Sequence, residues 1–132
     1  MTEHIRKYLL SNPFTEMQYP FGEGIEVYKV KGKMFATLSL GKMGIGGEGD
    51  NAFWWMNLKC DPDEAVMLRD IFKSVIPGYH MNKRLWNTVI LDGSVPNGEI
   101  ERMIDNSFNL VVQSLKKVDR QAVQVHLDEN TL

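Results

Sequence analysis

The sequence contains a single cysteine, Cys60, so no internal disulfide holds the chain together, and a reducing compartment suits it. No apolar run approaches the ~20 residues of a membrane span, and the chain does not open on a charged stretch followed by an apolar one. The expectation is a cytoplasmic protein without a membrane partner. His4, His80 and His126 are far apart and Cys60 has no companion at ligand spacing, so the sequence offers no metal site and implies no cofactor. There is no glycine-flanked serine elbow. The glycine-rich segment 41–51 lacks the Lys-Ser or Lys-Thr that opens a helix in a phosphate loop, and reads as a long mobile hairpin tip. No catalytic residue is therefore nominated. Strong positive charge is also absent: the net charge is −2, whereas dedicated nucleic-acid domains often have a pI above about 9.

What is present fits one ordinary globular domain, with 43% apolar and 24% charged residues. Residues 2–11 form an amphipathic helix with Ile5, Tyr8 and Leu9 on one stripe, and Asn12-Pro13 stops it. Residues 13–24 read as a loop with Phe14, Tyr19 and Phe21 as anchors. Residues 25–40 form a hairpin turning at Gly32. Met34, Ala36, Leu38 and Leu40 alternate onto one face, and a two-residue turn adds Ile25 and Val27 to it. Tyr28, Val30 and Phe35 then lie opposite. Residues 53–59 are a third strand with aromatics on both faces. Asp61-Pro62-Asp63-Glu64 starts a helix running to about Ser74. A fourth strand is expected around Tyr79–Met81, a turn at Asn82–Leu85 and a fifth strand at Trp86–Leu91. The last long helix opens at Pro96, with Ile100, Met103, Ile104, Ser107, Phe108, Val111 and Leu115 buried.

This order, α-β-β-β-α-β-β-α, predicts an α+β fold: a two-layer α/β sandwich with an antiparallel sheet and helices on one face. Residues 1–115 form the single domain. Residues 116–132 are polar and read as a tail or helix extension, poorly ordered at the end. An uncovered sheet face carrying Tyr28, Phe35 and Trp55 would expose enough apolar surface to serve a protein partner or a homodimer.

Chemically capable side chains are densest in 77–91, where Tyr79, His80, Asn82, Lys83, Arg84, Trp86, Asn87 and Thr88 occur with no acid. Lys83 and Arg84 suit phosphate contact. Lys31, Lys33 and Lys42 are candidate neighbours. Trp86, Trp54 and Trp55 offer faces for base stacking, although strand aromatics are more often core. Asn82 and Asn87 have the donor–acceptor pair that reads adenine, yet asparagine beside a turn usually serves the local backbone. His80 is either a base or phosphate contact, an acid–base group, or a strand histidine bonded within the fold. A small-molecule site around Tyr79, His80 and Asn87 is a further alternative.

Four stretches, PFG at 20–22, KVKGKMFA at 29–36, NLKCDP at 57–62 and PGYHMNK with WNTV at 77–83 and 86–89, resemble the MmcQ/YjbR family over roughly residues 3–115. The family block falls on Pro77, Gly78, Tyr79, His80, Met81, Asn82, Lys83, Trp86, Asn87 and Thr88. The resemblance implies a fold similar to the type III secretion chaperones and broadly like CyaY, and weak DNA binding through hairpin wings. Two departures stand out. Leu85 occupies a position that is often histidine in relatives, and the 41–51 loop is longer than usual.

Overall fold

The computed structural model describes residues 2–41 and 53–130. Helix α1 (Thr2–Ser11) is followed by strands β1 (Thr15–Gln18), β2 (Ile25–Val30), β3 (Lys33–Leu40) and β4 (Trp54–Lys59). Helix α2 (Pro62–Ile71), β5 (Val75–Pro77), β6 (Trp86–Ile90), α3 (Asn97–Gln113) and α4 (Lys117–Asn130) complete the chain. The strands make one six-stranded antiparallel sheet in the order β1-β2-β3-β4-β6-β5. The α+β class holds, with β1 and α4 as additional elements.

The β2–β3 turn is Lys31-Gly32 with both φ angles positive, 50° and 82°, the combination whose twist matches antiparallel strands. Its register is not the simple one. Val30 pairs with Lys33 and Lys29 with Met34, but Tyr28 pairs with Ala36, so Phe35 is an extra residue in β3. Such a bulge inverts the facing of everything beyond it. Tyr28 therefore shares the helix-covered face with Ala36 and Leu38, and Val27 takes the opposite face. Tyr28 is 1% and Phe35 0% exposed, with Phe35 edge-on to Phe108 at 5.3 Å. The expected interaction face of Tyr28, Phe35 and Trp55 is thus corrected: the first two are helix-side core, and Trp55 is buried too. Ser107 of α3 seals the bulge, donating to the Phe35 carbonyl at 2.6 Å and accepting from Lys59 N–H at 2.8 Å. One buried hydroxyl thereby satisfies a carbonyl and an amide on neighbouring strands.

The core lies between that sheet face and stripes from α1 (Ile5, Leu9), α2 (Ala65, Leu68) and α3 (Ile100, Ile104, Phe108, Val111). Buried Glu26 on β2 accepts from Arg6 of α1 at 2.9 and 2.8 Å and from Tyr28 Oη at 2.6 Å. Burial, and then the bond to Glu26, pushes the Tyr28 hydroxyl far above its ordinary pKa.

Asp61 caps α2 by accepting from Asp63 and Glu64 N–H at 3.1 and 3.3 Å, with Pro62 in the first turn as the sequence indicates. The helix ends at Ile71, because Phe72 is already extended. The fourth strand expected at Tyr79–Met81 is instead Val75–Pro77, and residues 79–81 lie in a turn where His80 has φ 57°. Pro77 is tolerated because β5 is an edge strand. Its neighbour Val75 gives its N–H to the Phe72 carbonyl at 3.0 Å. Residues 117–130, expected as a tail or helix extension, form a separate helix after the break at 114–116, with Val123 fully buried and His126 edge-on to Phe14 at 5.5 Å.

Candidate functional site

Between β5 and β6 the chain crosses itself. Gly78 N–H donates to the Trp86 carbonyl at 2.9 Å, and a Cβ on Gly78 would stand 2.8 Å from Trp86 Cβ. Only glycine fits there. Tyr79 N–H donates to Thr88 Oγ1 at 2.9 Å, Thr88 Oγ1 donates to Asn57 Oδ1, and Asn57 Nδ2 reaches the Tyr79 carbonyl at 3.4 Å. This chain of bonds pins the lobe 79–85 to the sheet face that the helices leave uncovered. The Tyr79 ring stands edge-on to Trp55 at 5.8 Å and to His80 at 4.3 Å.

Asn82 is spent on its own turn. Its Oδ1 accepts from Arg84 and Leu85 N–H at 3.0 and 3.2 Å, and its carbonyl accepts from Trp86 N–H at 2.9 Å. Asn87 is 2% exposed on the helix side, where Oδ1 accepts from Arg69 at 2.9 Å and Nδ2 donates to the Ala65 carbonyl at 3.3 Å. Expected base readout by Asn87 is therefore corrected. The small-molecule site around Tyr79, His80 and Asn87 is corrected with it, because Asn87 and Tyr79 lie on opposite sides of the sheet. His80, Lys83 and Arg84 are exposed or partly so, and Trp86 is half-buried. Lys83 Nζ donates to the Gly78 carbonyl at 3.1 Å, which leaves two ammonium hydrogens for other acceptors.

The register brings distant cations to one end of the sheet. The β2–β3 turn with Lys31 and Lys33, the end of β4 at Lys59, and the start of β6 at Trp86 all lie at that end. Strands sit ~4.8 Å apart, so Lys33 and Trp86 are laterally about 10 Å apart. Lys31 stands over the Phe14 ring at 4.3 Å, and Lys33 Nζ donates to the Ser114 carbonyl at 3.0 Å. Lys59 pairs directly with Trp86 and has no signal in the sequence beyond its strand position. Of the acids that follow Lys59 in sequence, Asp61 and Glu64 are engaged by the α2 cap and by Arg102, and Asp63 between them is exposed. Lys42 falls outside the described residues, as does most of the 41–51 loop. The strand ends flanking that loop, Leu40 and Trp54, pair at the opposite end of the sheet.

Beneath the rim, burial pushes the Cys60 thiol up to about 11, with Glu64 and Asp61 adding to the shift. On the uncovered face a cleft of about 340 Å³ is lined by Trp55, Lys73, Ser74, Ile76, Ile90 and Asp92. Among the described residues no group of three or more His, Cys, Asp or Glu is placed to hold a metal ion, and no helix is long and apolar enough to cross a membrane.

The YjbR family model matches residues 10–110, which includes the whole 77–89 block. The chain belongs to the YjbR family. It is 34% identical over 122 residues to YbdF of Escherichia coli O157:H7, an alignment covering 92% of this chain and 93% of that protein. YyaQ of Bacillus subtilis is 39% identical over 69 residues, covering 52% of this chain and 56% of the relative. Among solved structures, Deinococcus radiodurans DR2400 superposes with a TM-score of 0.79 at 28% identity, covering 94% of this chain and 88% of that one. A Pseudomonas syringae structure gives 0.69 at 28% identity, covering 83% and 97%. In this YjbR chain, α4 lies beyond residues 10–110, which the family model matches.

Proposed function

We propose that the protein binds DNA weakly, chiefly through phosphate, at the basic end of its sheet. The observation that carries this reading is the common end occupied by Lys31, Lys33, Lys59, Lys83 and Arg84, which come from three separate stretches of sequence. Cations gathered on one rim neutralise phosphates whatever the sign of the whole molecule, and the overall charge of −2 keeps affinity low. Half-buried Trp86 brings a ring to the same end of the sheet, and the exposed His80 ring lies against Tyr79. With Asn82 and Asn87 engaged internally, little base-edge reading is left, so discrimination between sequences is small.

Titration of labelled DNA at several salt concentrations tests the proposal. The expected plot of log affinity against log salt is linear, and replacing Lys83 and Arg84 by glutamate flattens its slope by about 2. Absence of binding at low salt, or an unchanged slope in the variant, refutes it. A second reading, a protein-binding module, is favoured by the outward face of α2, where Val66, Met67 and Ile71 are 49%, 58% and 63% exposed. Its check is cross-linking to bound proteins: Met67→Glu should abolish those products and leave DNA affinity untouched.

A further inference from the structure

Helix α4 has two apolar faces, and the fold uses one. Val123 is fully buried and Leu127 half-buried against the rest of the domain. On the other side, Val118 and Val125 are 73% and 56% exposed, and Ala122 between them is exposed as well. At 100° per residue, 118, 122, 125 and 129 fall on one narrow line, roughly opposite 123 and 127. A surface helix with no further partner has no need of a valine stripe on its solvent side. The ends of the helix carry opposite net charge: Lys117 and Arg120 at the N-terminal end, where Asp119 pairs with Lys116 just before the helix, and Asp128 and Glu129 at the C-terminal end.

That distribution is complementary to itself. We propose that α4 is a self-association surface, pairing antiparallel with α4 of a second copy about a two-fold axis near Ala122. In this arrangement Val118 meets the second copy's Val125, and the two Ala122 residues let the helices approach closely at the axis. Lys117 then meets the second copy's Glu129, and the reverse, so each contact occurs twice, as an isologous interface requires. A parallel pairing would oppose lysine to lysine and glutamate to glutamate. Other occupants fit less well, since an all-basic or all-acidic partner would be repelled at one end of the stripe. One helix face covers less than the ~800 Å² per partner of a stable interface, so the dimer is weak and concentration-dependent. Because α4 follows closely on Ser114, whose carbonyl holds Lys33, dimerisation would couple two basic rims, but the proposal does not depend on what the rim binds.

Sedimentation equilibrium of the full chain over a wide concentration range is the test. The weight-average mass should rise from 15.1 kDa towards twice that value. Ala122→Glu places two like charges at the axis on an exposed position, so it should hold the chain at monomer mass with unchanged circular dichroism. Lys117→Glu and Glu129→Lys should each raise the dissociation constant about tenfold, by turning two attractive pairs repulsive. The double variant should restore it. A wild-type chain that stays monomeric at the highest concentration overturns the proposal. So does an Ala122→Glu variant that dimerises like wild type, or a charge swap that fails to rescue.

Discussion

Replacing Gly78 by alanine isolates the crossing on which the 79–85 lobe depends. The backbone conformation is no obstacle, since Gly78 is not among the glycines with positive φ. At such a site alanine ordinarily stabilises by about 0.4–1 kcal/mol, through the entropy of the unfolded chain. Space reverses the sign here. The new methyl group would lie 2.8 Å from Trp86 Cβ, 2.9 Å from the Trp86 carbonyl oxygen and 3.0 Å from Met81 Cβ. The first two belong to β6, and that same carbonyl accepts the Gly78 N–H, so relief means shifting a paired strand. Overpacking of this kind costs about 1–3 kcal/mol, leaving a net loss of about 1–2 kcal/mol. Urea unfolding followed by tryptophan fluorescence should show the midpoint falling by roughly 1 M at ordinary slopes. Gly98 is the internal control. It lies in the first turn of α3, and a methyl group added there would meet no heavy atom within 4 Å, so Gly98→Ala should raise stability by up to about 1 kcal/mol. A Gly78→Ala variant as stable as wild type, beside a stabilised Gly98→Ala, would refute the close-approach argument.

Other outcomes follow from the buried polar groups. Arg6→Ala strands the Glu26 carboxylate in the core with Tyr28 as the one side-chain donor left among the described residues, and should cost about 3 kcal/mol in the same assay. Burial raises the pKa of Asp105, outweighing the lowering effect of the Tyr8 hydroxyl bonded to it. Its folded value therefore exceeds its unfolded one, so its contribution is full below the ordinary carboxylate range and is lost as pH rises through the folded value. Asp105→Asn keeps an acceptor for Tyr8 and should flatten that decline, with neutral-pH stability equal to or above wild type. Cys60, with its thiol near 11, is about one part in a thousand thiolate at pH 8. A thiol reagent should thus label the native chain slowly and the urea-unfolded chain at once, whereas rapid native labelling would contradict the burial.

The elements that carry strong periodicity or a cap are legible in the sequence: α1, the Gly32 hairpin, β4, the Asp61 helix start, β6 and the α3 stripe. What escapes has physical causes. Strand β1 is only Thr15–Gln18, mostly polar and set between two prolines, and it is strand only because β2 offers it an edge. The Phe35 bulge has no local signal, since Ser107, 72 residues away, satisfies the carbonyl it frees. That single residue moves Tyr28 from the expected outer face into the core. Strand β5 is missed in favour of Tyr79–Met81 because Ile76-Pro77-Gly78 reads as the break after the helix, whereas an edge position lets a strand end on that proline. Residues 116–132 read as a tail or an extension of the preceding helix because they are so polar, whereas Val123 and Leu127 seat α4 on the domain. For the candidate site, the block at 77–88 is plain in the sequence. Its division into internal ligands (Asn82, Asn87, Thr88) and groups open to solvent (His80, Lys83, Arg84) requires the register.

The proline that closes β5 bears on how this molecule can assemble. On that margin of the sheet Pro77 has no amide hydrogen, and the N–H of Val75 is already taken by Phe72. An incoming strand would find acceptors there but no donors, so the ladder cannot be prolonged on that side. Crowded solutions of the chain should accordingly grow no thioflavin-positive fibrils from that margin, and whatever companions it finds there must dock through side chains rather than by strand exchange.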